Sequence, residues 1–226
     1  MVKAVFVDYT GTVVKEGGPE MEEVVARICR GSDLHDPQQA VALWWSLVKQ
    51  YEESCCGETY MTEDAIVDRI LGELEKRIGL RENAQELHEL IRGFWVNAPL
   101  FADAGAFFAH CPLPIYLLSN NGAEYVGQSM RNKDLHPSGI VCADMVRAYK
   151  PHRAIFDKAL ELSGCRPEEA VHIGDSYTSD VQGARTAGIR PILVQRKTGK
   201  TYADIAVVRD LTEALPLLAQ QQESQA

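Results

Sequence analysis

The chain has 226 residues, with 23 Lys+Arg against 32 Asp+Glu and a formal charge of −9. That length suits one large domain or two small ones and buries a core without disulfides or a structural metal; 46% hydrophobic and 24% charged residues exclude wholesale disorder. The acidic balance argues against nonspecific nucleic-acid or anionic-membrane binding, because a phosphate backbone is held by Lys and Arg, but it leaves room for a small anionic substrate held by a local cluster of donors.

In chain order, VKAVFV at 2–7 is an apolar run ending at Asp8, and it reads as a buried parallel strand because such strands lack alternation. From about 19 to 96 the pattern turns helical. The first helix carries Met21, Val24, Val25 and Ile28 on one face behind Pro19. The second starts at Asp36-Pro37, a cap followed by a first-turn proline, with Ala40, Trp44, Leu47, Val48 and Tyr51 inward. The third begins at Thr62, repeats Ile66, Val67, Ile70, Leu71, Leu74 and Ile78, and stops at Gly79. The fourth begins at Asn83, with Glu86 three residues later as in a capping box, and faces inward with Leu87, Leu90, Ile91 and Phe94. These helices read as a small antiparallel bundle.

After Asn97-Ala98-Pro99 the α/β alternation resumes. A helix is expected over 101–109, a strand over IYLLS ending at Ser119, a helix after Gly122, a strand at 139–143 and a helix opened by Pro151. A strand at AVHIGD (170–175) follows, then a helix to about Ala187, strands at 191–194 and 206–208, a helix from about Thr212 and a polar, frayed tail. The fold class is therefore α/β, a three-layer Rossmann-like core with a parallel sheet plus an inserted helical cap. The expected boundaries are 1–16 and 97–226 for the core and 17–96 for the cap.

The cysteines contain no C-x-x-C pair and no His at zinc spacing, which argues against structural zinc. They read as reduced packing residues of a cytoplasmic protein, with Cys55 and Cys56 on an exposed turn. The apolar start is too short for a signal peptide and no stretch of 18 apolar residues is present.

The chemistry gathers in loops at strand ends, where open α/β sheets bind ligands. Asp8, in VDYTGT, is a carboxylate able to attack phosphorus. Gly11 lets the chain turn sharply and Thr12 reaches a neighbouring carboxylate. Ser119 offers a hydroxyl to a phosphoryl oxygen and Asn120 an amide beside it. Lys150, in YKPHRAIF, brings a compact ammonium to the nucleophile and the transferring group. Asp175 and Asp180, in GDSYTSD, form with Asp8 an oxygen-rich pocket suited to Mg²⁺, which relieves repulsion between anionic nucleophile and anionic phosphate.

Asp8-Tyr9-Thr10-Gly11-Thr12, Ser119-Asn120, Lys150-Pro151 and Gly174-Asp175-Ser176 with Asp180 stand in the order and contexts of the haloacid dehalogenase superfamily of hydrolases, which the whole chain resembles. The helical insert is similar to that superfamily's C1-type cap. The resemblance implies Asp8 as nucleophile and Mg²⁺ bound by Asp8, the Thr10 carbonyl and Asp175, with Asp180 ligating or supporting through water. It also implies a phosphoryl group held by Ser119 and Lys150. One position departs: most phosphatases of the superfamily have a second Asp two residues after the nucleophile, where this chain has Thr10. A hydroxyl is a poor acid or base at neutral pH, and such help is typically worth ~10²–10⁴ in rate. Three consequences are open: a slow enzyme, a group supplied by the cap, or a substrate with a good leaving group.

The expected activity is a Mg²⁺-dependent phosphohydrolase of a small phosphorylated metabolite, without nucleic-acid or membrane partners. The rivals are a low-turnover binding or regulatory protein, which Thr10 keeps open, and a 2-haloacid dehalogenase, against which the paired acids Asp175 and Asp180 speak. Several residues have a plainer reading beside a functional one. His35 is an exposed loop residue or a specificity residue, Glu16 a solvated hinge charge or a substitute acid, and Lys49 a solvated helix lysine. Trp44 and Trp45 point to different faces, and His172 is a satisfied core histidine.

Overall fold

The computed structural model describes residues 1–197, 199–200 and 202–223. Within them β1 (Ala4–Asp8), β2 (Ile115–Ser119), β3 (Gly139–Cys142), β4 (Ala170–Gly174), β5 (Arg190–Val194) and β6 (Ala206–Val208) form one six-stranded parallel sheet in the order β3-β2-β1-β4-β5-β6. β1 lies inside the sheet, and every residue of β1 and β4 is buried, which is why both read as unbroken apolar runs. Successive residues of β1 serve opposite faces. Val5 and Val7 belong to a core that extends into the inserted helices, while Ala4 and Phe6 pack with Ile155, Phe156 and Ala159 on the other side.

Between β1 and β2 the chain leaves the sheet to build α1 (Pro19–Gly31), α2 (Pro37–Ser54), α3 (Glu63–Ile78) and α4 (Ala84–Asn97). Their starts follow the capping rules. Asp36 accepts from the amides of Gln38 and Gln39, Thr62 from that of Ala65, and Asn83 from those of Gln85 and Glu86. Gly79 ends α3 in the left-handed region at φ 63°. The two chain crossings run side by side, with the Lys15 amide donating to the Pro99 carbonyl at 2.8 Å. The sheet is completed by α5 (Ala104–His110), α6 (Ala123–Asn132), α7 (Ala143–Val146), α8 (Arg153–Ser163), α9 (Gly183–Thr186) and α10 (Ala214–Glu223).

Several local expectations are corrected. Only half of the Asn83 capping box forms, because the Glu86 carboxylate is drawn across to Arg27 at 2.8 Å. Pro151 does not open a helix: α8 begins at Arg153, capped by His152 Nδ1, which accepts from the Ala154 amide. The segment after β4 is not an α-helix from the outset. Tyr177–Gln182 is π-helical, the Ser176 carbonyl accepting from both Asp180 and Val181, before α9 begins. Cys55 is buried in the core and only Cys56 is exposed, since the backbone of Cys56 bridges to Ala148 and turns its neighbour inward. The described cysteines are all free thiols. The last helix starts at Ala214, and the tail beyond 223 lies outside the described residues.

Phe156 lies fully buried, edge-on to the ring of His172 at 5.2 Å and against Gly183, so it backs the strand that leads into the acidic loop. Phe156→Ala is expected to cost about 3–5 kcal/mol of folding free energy, read as a lowered urea midpoint at unchanged m-value.

Candidate active site

Parallel strands end at one edge of the sheet, and the strand order reverses direction at β1, so the crevice beyond β1, β2 and β4 is the place a ligand is expected. Asp8 closes β1, Ser119 closes β2 and Asp175 follows β4. Carboxylate oxygens of Asp8, Asp175 and Asp180 all lie within 4.8 Å of one another, although Asp8 is more than 160 positions from the other two in sequence. A cavity of about 360 Å³ lies over them, roofed by the inserted helices.

The centre of the site is a buried cation between two buried anions. Lys150 Nζ donates to Asp8 Oδ1 at 2.6 Å and to Asp180 Oδ1 at 2.7 Å. Burial, the largest single influence, pulls the ammonium toward neutrality, but Asp180 and Asp8 outweigh it and hold it firmly charged. Burial likewise pushes against an ionised Asp180. The Lys150 charge and the His172 hydrogen bond prevail, leaving its carboxyl well below the usual range. Asp180 is saturated: Oδ1 also accepts from His172 Nε2 at 2.9 Å and Oδ2 from the Ser176 amide at 3.0 Å. An ionised carboxylate only accepts, so Nε2 carries the imidazole proton, and burial keeps the ring neutral. Gly174 is required here because a Cβ would occupy the place of the Asp180 carboxylate.

Asp8 and Asp175 are held differently. Asp8 Oδ2 is buried with no hydrogen-bond partner among the described residues. Burial raises the Asp8 carboxyl to about 6 against the opposing pull of Lys150. Burial, then the charges of Asp8 and Asp180, raise Asp175 to about 8. An orphaned buried carboxylate oxygen beside a carboxyl reluctant to ionise is what a divalent cation with oxygen ligands relieves. The donor set therefore fits Mg²⁺.

The other predicted residues fall in varied places. Gly11, at φ 92°, turns the chain beneath Asp175, where a side chain would collide. Thr12 is consequently fully buried, 3.4 Å from Asp175 Oδ1, and it is not among the residues lining the cavity. Its carbonyl is gripped by Arg196 Nη2 at 2.6 Å, while Nη1 of that guanidinium pairs with Asp103 at 2.8 Å and its plane stacks on Phe101. Ser119 Oγ is buried and turned along its own loop, accepting from the Asn121 amide. Asn120 joins two parts of the chain: its Oδ1 accepts from the Lys150 amide at 2.7 Å and its Nδ2 donates to Glu52 of α2 at 3.0 Å. Thr10 lines the cavity and donates its hydroxyl proton to Asn121 Oδ1 at 2.7 Å. Trp44 and Trp45 both line the cavity, as does Glu16 at the hinge. Lys49 is exposed and paired with Glu53 on its own helix, and His35 sits in the outer loop against the Cys29 carbonyl.

The sequence reading missed Asn121, Glu52, Glu63 and Arg196. Asn121 links Thr10 and Ser119 to the Glu63 carboxylate, which also accepts from the Gly122 amide at 3.0 Å. The second Asn of LLSNNG was a signal for Asn121. Glu63 was visible only as a first-turn acid, and nothing in the helical pattern marked Glu52.

The sequence profile of the haloacid dehalogenase-like hydrolases matches residues 2–188. The chain belongs to that family. Among relatives, a phosphoserine phosphatase of Thermus thermophilus is 34% identical over 128 residues, 54% of this chain and 51% of that protein. A glyceraldehyde 3-phosphate phosphatase of Methanothermobacter thermautotrophicus is 32% identical over 87 residues, 35% of this chain and 38% of that protein. The chain thus spans about half or less of the length of these curated relatives. Solved structures of like fold include the HAD-hydrolase YfnB of Bacillus subtilis bound to magnesium, at TM-score 0.74 and 19% identity, covering 96% of this chain and 99% of that one. The L-2-haloacid dehalogenase RSc1362 matches at TM-score 0.78 and 20% identity, with coverages of 96% and 99%. Among the described residues no helix is long and apolar enough to cross a membrane.

The carboxyl shifts set a pH dependence with opposite signs. Asp8 and Asp175, raised to about 6 and about 8 from 3.8, favour the folded state below pH 4 and oppose it as pH rises through those values. Asp180, lowered, adds stability above its ordinary range and loses it only in strong acid. Mg²⁺ held by Asp8 and Asp175 would compete with the protons on them. The melting-temperature gain from added Mg²⁺ is therefore expected to be larger at pH 8 than at pH 6 and to vanish in Asp175→Asn; an equal gain at both pH values contradicts this.

Proposed function

We propose that this chain is a Mg²⁺-dependent phosphohydrolase of small phosphorylated metabolites, working through an aspartyl-phosphate, with residues 17–96 acting as a cap over a core of 1–16 and 97–226. The observation that carries the reading is the acidic trio of Asp8, Asp175 and Asp180 beside the charged Lys150, with Asp8 Oδ2 buried and unpartnered among the described residues. The names of the phosphatase relatives support the reaction class, and the two acids of the loop after β4 favour it over dehalogenation.

Asp8 is the nucleophile in this mechanism. Its Oδ1 is held by Lys150, which fixes the carboxylate rotamer and leaves Oδ2 facing its neighbours. Lys150 also offers charge to the phosphoryl oxygens as negative charge shifts during transfer. Asp8, Asp175 and the Thr10 carbonyl would hold Mg²⁺, with Asp180 supporting from behind, and the ion would supply neutralisation of nucleophile and phosphate. Asp180 is suited to support because both of its oxygens are already committed to Lys150, His172 and Ser176. Ser119 and Asn120 border the phosphoryl position, and the cap excludes bulk water while the acyl phosphate exists. The proposed substrate is a small phosphate monoester and the proposed setting cytoplasmic.

Phosphate release from a panel of small phosphate monoesters tests this. Wild type is expected to release phosphate with Mg²⁺, to stop with EDTA, and to fall to background in Asp8→Asn. Chloride release from a 2-chloroacid, insensitive to EDTA, would support the dehalogenase instead. Equal activity in wild type and Asp8→Asn would sink both readings.

A further inference from the structure

Leaving-group departure from phosphorus calls for a proton, and the residue two positions after Asp8 has none to give. The single hydroxyl proton of Thr10 is committed to Asn121 Oδ1, whose amide nitrogen is tied in turn to Glu63. Thr10 presents only lone pairs to the cavity. The remaining carboxylates around the cavity can be sorted by what already occupies them. Asp8, Asp175 and Asp180 form the acidic trio. Both oxygens of Glu63 accept hydrogen bonds, from Asn121 Nδ2 and the Gly122 amide. Glu53 is 57% exposed and paired with Lys49. Glu16 is exposed on the hinge, on the side of Asp175.

Glu52 is different. It lines the cavity from α2, and Asn120 Nδ2 holds its Oε2 at 3.0 Å. Asn120 cannot turn away, because its Oδ1 is engaged by the Lys150 amide. The carboxyl is thus anchored by one oxygen beside the proposed phosphoryl position, and among the described residues no hydrogen bond occupies Oε1. We infer that Glu52, carried into the cleft by the cap, is the proton donor and acceptor that Thr10 does not provide. This rests on the phosphohydrolase reading. The groups facing Glu52 are Lys150 and Tyr149 from the core, Glu63 from α3 and Glu53 on its own helix. Burial, against the opposing pulls of Asn120 and Lys150, raises its carboxyl to about 7, so near neutral pH both its acid and its base forms are present.

The steps balance. Asp8 attacks phosphorus, the bond from phosphorus to the leaving oxygen breaks, and the Glu52 proton passes to that oxygen. Glu52, now a carboxylate, takes a proton from the water that attacks the phosphoryl group on Asp8. The bond from phosphorus to Asp8 breaks, phosphate leaves, and Asp8 is a carboxylate again. Because Glu52 is on the inserted helices and its anchor Asn120 is on the core, the acid is in place only when the two are closed on each other. Closure and proton transfer then become one event.

Pre-steady-state kinetics with two aryl esters tests the assignment. Phenyl phosphate needs a protonated leaving group, whereas 2,4-dinitrophenyl phosphate does not. Glu52→Gln is expected to slow phenol release from phenyl phosphate by ~10²–10⁴ and to leave the dinitrophenolate burst unchanged. In wild type, the phenyl phosphate rate is expected to fall above about pH 7 while the dinitrophenyl phosphate burst does not, a readout that needs no variant to fold. Equal slowing of both esters, no slowing of either, or matching pH profiles overturns the role of Glu52. If wild type turns over neither ester, the phosphohydrolase reading falls and this inference with it.

Discussion

The site is organised around one buried ammonium. Lys150 lies between Asp8 and Asp180, each within 2.7 Å, and none of the three has water to fall back on. Burying charge is costly unless partners replace the lost hydration. The fold supplies them in layers: His172 and the Ser176 amide complete Asp180, Asp180 completes Lys150, and Lys150 takes one oxygen of Asp8. The other oxygen is left over. That remainder leaves the ion network open at Asp8, the residue proposed as nucleophile.

Several structural details follow from satisfying that cation. The π-helical turn at Tyr177–Gln182 lets Asp180 reach back beneath the end of β4, into space that only a glycine at 174 leaves free. Phe156 and His172 pack behind it and keep that side dry. Arg196 holds the Thr12 carbonyl and so fixes the turn that follows Asp8. The same loop that ends β2 reaches both ways: Asn120 and Asn121 bond to Lys150 and Thr10 in the core and to Glu52 and Glu63 in the inserted helices. The inserted helices are thereby linked to the groups around Asp8, and not merely laid over them.

The elements were legible where one physical signal dominated. Buried parallel strands announce themselves as short apolar runs, and Asp36, Thr62 and Asn83 declared helix starts by cap chemistry. The misreadings came where a tertiary partner outbid a local rule. Arg27 drew Glu86 out of its capping box, and the backbone bridge from Cys56 to Ala148 put Cys55 inside. The demands of Asp180 replaced an α-turn by a π-turn. Asp8 and Asp175 were readable because they stand at strand ends, and Lys150 and Asp180 because they stand in the short motifs YKPHRAIF and GDSYTSD. Glu52 was not, because a glutamate in the middle of an amphipathic helix looks like any solvated charge until the facing surface is known.

By itself, the sequence determined the strand–helix order, the position of the helical insert and the residue types at the strand ends, because burial and capping act over a few neighbouring residues. It also determined the departure at Thr10. Only the tertiary structure decided which oxygens are occupied and which are left free. That depends on distances between loops more than a hundred residues apart, and on how deeply each carboxylate is removed from water, neither of which is encoded in local spacing.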